Sequence, residues 1–366
     1  MPAPALLDAT PLASAHATRG IGAAVRGMLE GFAALPPDDR PALLVRRGQP
    51  VPEGFEAREV RWPRWPVYRL PDPWPFAVGE RAARRLAAGG VFHAVQPSLI
   101  PRGRTVVTCF DLIPASFRAE YLSGAGRAPE AFAYRHFLRR LGQARLVLVP
   151  SAETGVDVRR IAGVPPERIR VVPLATPVAP PGDGSAPDGP YVLYAGAIEP
   201  HKNAPLAIEA IALAEPGVRL VMAGPWSARR TERLRRHAEV VGAGGRIDWL
   251  GLVPPERLTA LREGARAVLV PSRKEGVGLP VLEALSAGVP VLASDTPALR
   301  EVGADAATYL PLGQPAVWAA AISASALASD PVARAVRAEH GRRRAAAFSW
   351  ERTARATADA YREVAG

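Results

Sequence analysis

Residues 267–293 read AVLVPSRKEGVGLPVLEALSAGVPVLA and contain a strand, a loop, a helix and a second strand in succession. The run AVLV, residues 267–270, is apolar throughout, as expected of a strand buried on both faces of a parallel sheet. A glycine-containing loop follows. A helix is predicted from about Pro280 to Gly288, because proline favours the first helical turn and glycine the position after the last. Residues 289–293 then predict another buried strand, and such a β-α-β unit indicates a doubly wound α/β domain.

The same alternation of short apolar runs and longer helical patterns extends along the whole chain. Strands are predicted over residues 5–8, 42–45, 91–95, 105–110, 145–150, 169–172, 191–195, 219–223, 246–250, 267–270 and 289–293. The stretch 179–189 is rich in Pro, Gly and Asp and predicts a linker. The 366 residues therefore divide into an N-terminal domain (1–178), a C-terminal domain (190–348) and a last helix (349–366). Because ligands of open α/β sheets bind beyond the carboxyl ends of the strands, the expected site is a cleft between two facing domains.

Composition excludes several classes of protein. Apolar residues make up 48% of the chain and charged residues 22%, which argues against disorder. No run approaches the roughly 18 apolar residues of a membrane helix, and the first residues lack the basic region of a secretory signal. A single cysteine, Cys109, rules out an internal disulfide and a cysteine-rich metal site. The sequence predicts a reduced, cytoplasmic protein.

The net charge of +11 is unevenly distributed. Residues 1–180 carry 24 arginines against 15 acidic residues, whereas residues 181–366 carry 22 basic against 20 acidic residues. A basic first half suggests an anionic partner, either a phosphorylated acceptor or the inner face of a membrane, and scattered solvated arginines are the alternative. Only Lys202 and Lys274 are lysines, so a lysine stands out in this chain.

Three short motifs could carry chemistry. Arg19-Gly20-Ile21-Gly22 follows the first strand and opens a helical pattern, so its amides could approach an anion, although a structural tight turn is equally compatible. Gly196 begins a loop that leads to Lys202 and to a helix predicted to be capped by the next residue, Asn203. A cation at a helix N-terminus makes sense mainly when an anion is also bound.

The third motif places one glutamate on a glycine loop and another in the first turn of the following helix. These residues are Glu275 and Glu283, eight positions apart. Their spacing alone means little, and a first-turn glutamate is favoured by the helix dipole without any function. The loop context makes them candidates for a site.

The segment PSRKEGVGLPVLEALSAGVPVLASDTPALREVG, residues 271–303, closely resembles the EX7E segment of family-4 retaining glycosyltransferases with the GT-B fold. Further matches occur in the same order along the chain: RGIG, TCFDLIP, LVLVPSAETGVDVRRIAGVPPERIRVVPL, YVLYAGAIEPHKN, IDWLGLVPPERL and FSWERTARATADAYR. The resemblance covers both predicted domains. It implies two doubly wound Rossmann-like domains and a last helix that crosses back to the first domain.

The resemblance also implies roles for individual residues on the donor side. Glu283 matches the glutamate on the ribose hydroxyls, Glu275 the glutamate near the transferred sugar, and Lys202 the lysine on the diphosphate. The remaining residues match positions around the phosphates and the base: Gly20, Gly22, Gly196, Arg273, Gly276, Val277, Gly278 and Leu279 for the phosphates, and Leu252 and Val253 for the base pocket.

Two positions depart from the pattern of the family. Ala197 stands where many members have an arginine that pairs with the diphosphate lysine, which leaves Arg273 or backbone amides as substitutes. Phe110 stands where many have the histidine of a His-Asp pair that faces the sugar. Arg19, Phe110 and Asp111 are assigned to the acceptor side, with Asp111 as a catalytic candidate. These departures bear on sugar identity more than on reaction class.

The expected function is retaining transfer of a hexose, mannose or glucose, from a GDP- or UDP-sugar. No metal is expected, because no Asp-x-Asp motif is present, and no separate cofactor or nucleic acid is expected either. The acceptor is a small molecule, a glycan or a lipid-linked group. Two alternatives stay open: a GT-B enzyme that epimerises a nucleotide sugar or joins a pseudo-sugar, and a degenerate, non-catalytic nucleotide-binding protein.

Overall fold

A computed structural model of the chain describes residues 5–14, 20–60, 74–96, 99–123, 127–327 and 330–366. The chain forms two compact units. Unit 1 comprises Met1–Pro177 together with Ser349–Gly366, and unit 2 comprises Val178–Phe348. Arg19 lies outside the described residues.

Unit 1 contains a seven-stranded parallel sheet. Its strands, in sequence order, are β1 (Leu6–Asp8), β2 (Ala42–Arg46), β3 (Ala57–Val60), β4 (Phe92–Ala94), β5 (Thr105–Thr108), β6 (Leu146–Val149) and β7 (Ile169–Val171). Their spatial order is β3-β2-β1-β4-β5-β6-β7, and every neighbouring pair is parallel. The order reverses direction between β1 and β4. The inner strands are buried on both faces, which explains their apolar runs.

Helices connect these strands and cover the sheet. They are α1 (Gly20–Ala33), α2 (Trp74–Leu86), α3 (Ile113–Ser116), α4 (Arg118–Tyr121), α5 (Ala128–Gly142) and α6 (Ala152–Ala162), with α14 (Trp350–Ala365) at the end of the chain. Ser151 caps α6 through a hydrogen bond to the amide of Thr154 (3.2 Å), and Gly163 ends it in a left-handed conformation.

Helix α14 packs closely on α1 within unit 1. A Cβ at Gly27 would lie 2.0 Å from the ring of Trp350, and one at Gly31 would lie 2.1 Å from its carbonyl oxygen. Trp350 also donates through Nε1 to the carbonyl of Thr176 (3.1 Å). The two glycines of α1 therefore allow the last helix to approach at backbone distance.

Unit 2 has a six-stranded parallel sheet. Its strands are β8 (Tyr191–Ala195), β9 (Arg219–Ala223), β10 (Ile247–Gly251), β11 (Ala267–Val270), β12 (Val291–Ser294) and β13 (Thr308–Leu310). The order β10-β9-β8-β11-β12-β13 reverses direction between β8 and β11. Its helices are α7 (Ala204–Leu213), α8 (Ala228–Val240), α9 (Pro255–Gly264), α10 (Leu279–Ser286), α11 (Pro297–Gly303), α12 (Pro315–Leu327) and α13 (Pro331–Ala345).

Some local predictions need correction. The edge strands β3 and β13 were not predicted: β3 is short and largely exposed, so it lacks an apolar run, and β13 has only three residues. Asn203 does precede α7, but in a left-handed conformation (φ 54°), and its side chain makes no capping hydrogen bond. The predicted linker, 179–189, contains no helix or strand and lies against α9, where the amide of Asp183 donates to the carbonyl of Glu256 (3.4 Å).

No single helix in the described ranges is long and apolar enough to cross a membrane, and one bent pair, Pro315–Ala326 with Pro331–Ala365, meets the length and composition test only when taken together.

Candidate functional site

The candidate site lies at the carboxyl edge of the sheet in unit 2, at the point where the strand order reverses. The loop after β8 ends in a 3-10 turn, Pro200–Lys202, and the loop after β11 carries Glu275. Since β8 and β11 are hydrogen-bonded neighbours, two residues 73 positions apart in the chain are brought together. Such a reversal point is where open α/β sheets bind ligands.

Lys202 and Glu275 form a close ion pair at this point. The ammonium Nζ of Lys202 lies 2.7 Å from Oε1 and 2.8 Å from Oε2 of Glu275. The carboxylate is buried (7% exposed), whereas 22% of the lysine side chain is exposed. Ser272 donates from Oγ to Glu275 Oε1 (2.6 Å), so that oxygen accepts two hydrogen bonds. The carboxylate is thus held in place, while the cation keeps a face toward solvent.

A backbone contact ties the two loops together beside this pair. The amide of Arg273 donates to the carbonyl of His201 (2.7 Å). Burial lowers the pKa of His201 to about 4, with the positive charges of Lys202 and Arg273 adding to the effect. His201 is therefore neutral at pH 7 and adds no charge beside the ion pair.

Glu283 is the fifth residue of α10, just past the first turn in which the sequence predicted it, because the helix begins at Leu279. It forms a second ion pair. Arg262, on α9, donates from Nη2 to Glu283 Oε2 (2.7 Å). Desolvation raises the pKa of Glu283, and the charges of Arg262 and Lys202 oppose that rise. Lys202 therefore acts electrostatically on both glutamates predicted for the site.

The loop between β11 and α10 is compact and ends on a glycine. Gly276, Val277 and Gly278 are buried, and α10 begins at Leu279. Gly278 has φ 93°, a region that favours glycine, and a Cβ there would lie 2.7 Å from Leu299 Cδ2. The tight turn brings the N-terminus of α10 directly after the buried glutamate, and amides at a helix N-terminus favour an anion.

The predicted base-pocket residues follow β10 on the same carboxyl edge. Leu252 is exposed and Val253 is half-buried. Gly196 follows β8, and its carbonyl accepts a hydrogen bond from Nε1 of Trp226 (2.8 Å). An exposed leucine on a sheet edge offers apolar surface to a flat ligand. Trp226, which follows β9 and is half-buried, was not predicted from the sequence as part of the site.

The acceptor-side candidates lie in unit 1. Phe110 and Asp111 follow β5 and are both half-buried. Asp111 Oδ1 accepts a hydrogen bond from the amide of Ile113 (2.9 Å), which makes it part of the turn that begins α3. Gly20, exposed, and Gly22, buried, occupy the first turn of α1 rather than a loop before it.

Three further residues belong to the site although sequence patterns did not identify them. Ser272 and Arg262 hold the two glutamates, and Arg230 on α8 donates to the carbonyl of Ile198 (3.1 Å) while pairing with Glu199. Arg230 therefore provides a cation next to the loop that has Ala197. Arg262 occupies a position on the buried side of α9. An arginine at such a position is the sequence feature that could have indicated a buried ion pair.

Among the residues that the structure describes, no group of three or more His, Cys, Asp or Glu side chains is placed to hold a metal ion.

Comparison with known proteins identifies the C-terminal part of the chain. Residues 180–344, within unit 2, match the model of the family described as "Glycosyl transferases group 1". The match covers nearly all of unit 2. The chain is 30% identical over 254 residues to a D-inositol 3-phosphate glycosyltransferase from Acidothermus cellulolyticus, covering 62% of this chain and 56% of that protein. It is 32% identical over 244 residues to the O-antigen chain mannosyltransferase B of Escherichia coli, covering 61% of each. The chain therefore spans between half and two thirds of the length of these relatives.

Solved structures match nearly the whole chain. Sucrose-phosphate synthase from Thermosynechococcus elongatus superposes with a TM-score of 0.75 at 20% identity, covering 98% of both chains. HepE from Anabaena, solved in complex with UDP and glucose, gives a TM-score of 0.70 at 16% identity and covers 97% of this chain and 98% of its own. These likenesses confirm the predicted fold class, two Rossmann-like α/β domains of the GT-B type.

Proposed function

We propose that this chain is a glycosyltransferase that moves a hexose from a nucleotide diphosphate sugar to an acceptor hydroxyl, with retention at the anomeric carbon and without a metal ion. The observation that carries the proposal is the pairing of Lys202 with Glu275 at the reversal point of unit 2 (2.7 and 2.8 Å). A partly exposed cation held against a buried carboxylate, directly before a helix N-terminus, suits a substrate whose leaving group is an anion.

Leaving-group stabilisation dominates the proposed mechanism. The bond from the anomeric carbon to the diphosphate oxygen breaks, and negative charge grows on the departing diphosphate. Lys202 and the amides at the start of α10 are the groups of this chain that would meet that charge. Charge stabilisation of this type contributes most when its donors are already oriented, as Lys202 is by Glu275.

Glu275 has the complementary task at the sugar. As the diphosphate leaves, the anomeric carbon becomes cation-like, and a fixed carboxylate stabilises it. The hydrogen bond from Ser272 (2.6 Å) and the contact with Lys202 keep the carboxylate of Glu275 oriented. We assign it positioning and electrostatic support rather than nucleophilic attack.

On the acceptor side, Asp111 is the proposed residue that orients the hydroxyl or accepts its proton, and Phe110 is proposed to pack on a sugar face. The basic first half of the chain, with 24 arginines in residues 1–180, favours a phosphorylated acceptor. One relative is named for D-inositol 3-phosphate, which makes an inositol phosphate the first acceptor to test. Peripheral contact with an anionic membrane and a cytoplasmic location remain predictions.

The donor is proposed to be GDP-mannose or UDP-glucose. The first follows from a relative named as a mannosyltransferase and the second from the structural neighbour that holds UDP and glucose. A thermal-shift series with GDP, UDP and ADP tests the base, because a ligand at one hundred times its Kd stabilises the folded protein by about 2.7 kcal/mol.

Nucleotide release from GDP-mannose and UDP-glucose tests the reaction. We expect release that depends on an acceptor such as inositol phosphate. Release without any acceptor would support an epimerase or a related reaction on the same fold. Binding of the nucleotide without release under all conditions would support a degenerate, non-catalytic protein, and binding of none of the nucleotides would contradict the proposal altogether.

A further inference from the structure

Arg262 is a buried cation whose side chain points to Glu283. It lies on α9, its side chain is only 7% exposed, and its Nη2 donates to Glu283 Oε2 at 2.7 Å. Glu283 is much less enclosed, with 33% of its side chain exposed. The pair therefore has an inner end, the guanidinium, and an outer end, the carboxylate.

This asymmetry matters for what the carboxylate can bind. Among the described residues, the hydrogen bond to Glu283 comes to Oε2, and none reaches Oε1. Burying a guanidinium costs free energy unless an opposite charge pairs with it. The buried Arg262 therefore strongly favours the conformation in which an ionised Glu283 is turned toward it. With Oε2 occupied from inside the domain, Oε1 is left as an acceptor on the exposed side.

We propose that Arg262 is a positioning residue for Glu283, which fixes its Oε2 so that Oε1 accepts a ribose hydroxyl of the donor. This inference rests on the proposed function and on the ribose contact that the family resemblance implies for Glu283. It adds a residue of α9 that touches no substrate and acts through the carboxylate. It also makes the orientation of Glu283 Oε1 dependent on α9, which carries Arg262.

The competing explanation is that the ion pair only joins α9 to α10. A variant would then lose stability without any specific change in how ribose is recognised. Stability alone cannot distinguish the two, so the measurement must isolate the hydroxyl contact. The ratio of the Kd for a deoxy analogue to the Kd for the parent nucleotide does this, because loss of overall folding or pocket shape affects both ligands.

The experiment uses the full chain and isothermal calorimetry with UDP and GDP, together with the 2′-deoxy and 3′-deoxy forms of whichever of the two binds more tightly. For the unmodified protein we expect at least one deoxy form to bind about tenfold or more weakly, as for loss of a charged hydrogen bond. In Arg262→Met this ratio should fall to within about twofold. Arg262→Lys, which keeps the charge, should restore part of it.

Arg246→Met is the matched control, because Arg246 is anchored to the carbonyls of Ala214 (3.0 Å) and Val218 (2.9 Å), at the opposite end of the sheet. It should lower the melting temperature and leave the ratio unchanged. If Arg262→Met folds and its Kd ratio equals that of the unmodified protein, the inference is overturned. If Arg262→Met does not fold, the inference is overturned when Arg262→Lys and Glu283→Gln both keep the Kd ratio of the unmodified protein. If the unmodified protein binds neither UDP nor GDP, the proposed function itself fails.

Discussion

The two units reverse their strand order in the same way, yet the carboxyl edges at the two reversal points differ. In unit 2, between β8 and β11, the buried carboxylate of Glu275 meets the ammonium of Lys202. In unit 1, between β1 and β4, the fully buried carboxylate of Asp8 meets neutral donors: Thr10 through its amide (3.0 Å) and hydroxyl (2.7 Å), and Gln96 through Nε2 (2.7 Å).

The difference separates the site proposed to bind a ligand from a cluster whose hydrogen bonds are satisfied by its own side chains. Lys202 keeps exposed surface and can share its charge with an arriving anion, whereas the donors around Asp8 also bond one another, with Gln96 Nε2 2.9 Å from the hydroxyl of Thr10. Burial raises the pKa of Asp8, and its hydrogen bonds from Thr10 and Gln96 oppose the rise. The same topology therefore holds a carboxylate that is proposed to act in chemistry in unit 2 and one that is bound into local structure in unit 1.

The largest expected effect follows from Glu275→Gln. Removing the carboxylate charge leaves Lys202 without its partner and the cation-like sugar without support, so kcat should fall about a hundredfold with a smaller change in the donor KM. Steady-state kinetics with GDP-mannose or UDP-glucose measure this. Glu283→Gln is the matched variant and should mainly raise the donor KM; equal kcat losses in both, with KM unchanged, would contradict the division of roles.

Substitution of Lys202 tests whether the edge of unit 2 requires a compact ammonium or accepts any cation. Arginine occupies nearly every other basic position of this chain, which suggests that residue 202 needs a compact ammonium that reaches between the phosphate oxygens of the donor, where a planar guanidinium does not fit. Lys202→Arg should fold normally and lose about tenfold or more in kcat/KM, approaching Lys202→Ala. Full activity of the arginine variant, at an unchanged melting temperature, would mean that any cation serves there.

Asp8→Asn tests the other half of the comparison. The amide would present its own N–H groups to Thr10 and Gln96, so one donor would lose its acceptor inside the core. Unfolding by urea should show a loss of about 1–3 kcal/mol. Kinetics of the folded variant should show a donor KM within about twofold of the original, and a selective rise in KM would break the proposed contrast between the two edges.

Two buried histidines, one in each unit, are expected to make the free energy of unfolding depend on pH. In unit 1, His93 Nδ1 lies 2.7 Å from the hydroxyl of Tyr361 and its Nε2 lies 2.7 Å from that of Thr108, and burial lowers its pKa to about 3. His201 in unit 2 has its pKa lowered to about 4. The unfolded chain protonates first, near pH 6.5. Each histidine therefore contributes stability above pH 6.5 that is lost as the pH falls toward the folded-state value, at about 1.4 kcal/mol per pH unit.

Urea unfolding at pH 7.5, 6 and 5 measures this slope. His93→Gln should unfold more easily at pH 7.5 but lose less stability than the original protein as the pH falls to 5. His201→Gln should flatten the same range by a similar amount. A slope that neither substitution changes would show that other groups control acid unfolding.

The smallest expected effect is that of chelation, which should be none. Lys202 and the N-terminus of α10 are proposed to supply the positive charge that a metal would otherwise bring to the diphosphate. Transfer rates should therefore be the same with and without EDTA. Activity abolished by EDTA and restored by magnesium or manganese would assign the electrostatic role in unit 2 to a metal instead.

Much of the site follows from sequence because of one property of parallel sheets. Residues that come directly after neighbouring strands meet at one edge, so the loops at Lys202 and Glu275 could be placed together once AVLV and YVLYA were interpreted as buried strands. The helix after the glycine loop was also predicted, but it begins at Leu279 rather than near Pro280, so Glu283 is its fifth residue and lies just past the first turn. For the same reason the inner strands were predicted closely, since burial on both faces leaves a continuous apolar run.

Contacts between residues far apart in the chain leave no local sequence pattern, so they became visible only in the tertiary structure. The partners Arg262 and Glu283 are 21 positions apart, and their meeting depends on how α9 lies beside α10. Gln96 donates a hydrogen bond to Asp8, and these two residues are 88 positions apart. The fold class could be predicted from the sequence, because backbone pairing and apolar burial are periodic along the chain, and the loops proposed to carry chemistry were located in the same way. Which carboxylate meets a cation and which meets neutral donors depends on side chains from distant elements, whose approach is set only when the sheets and helices pack.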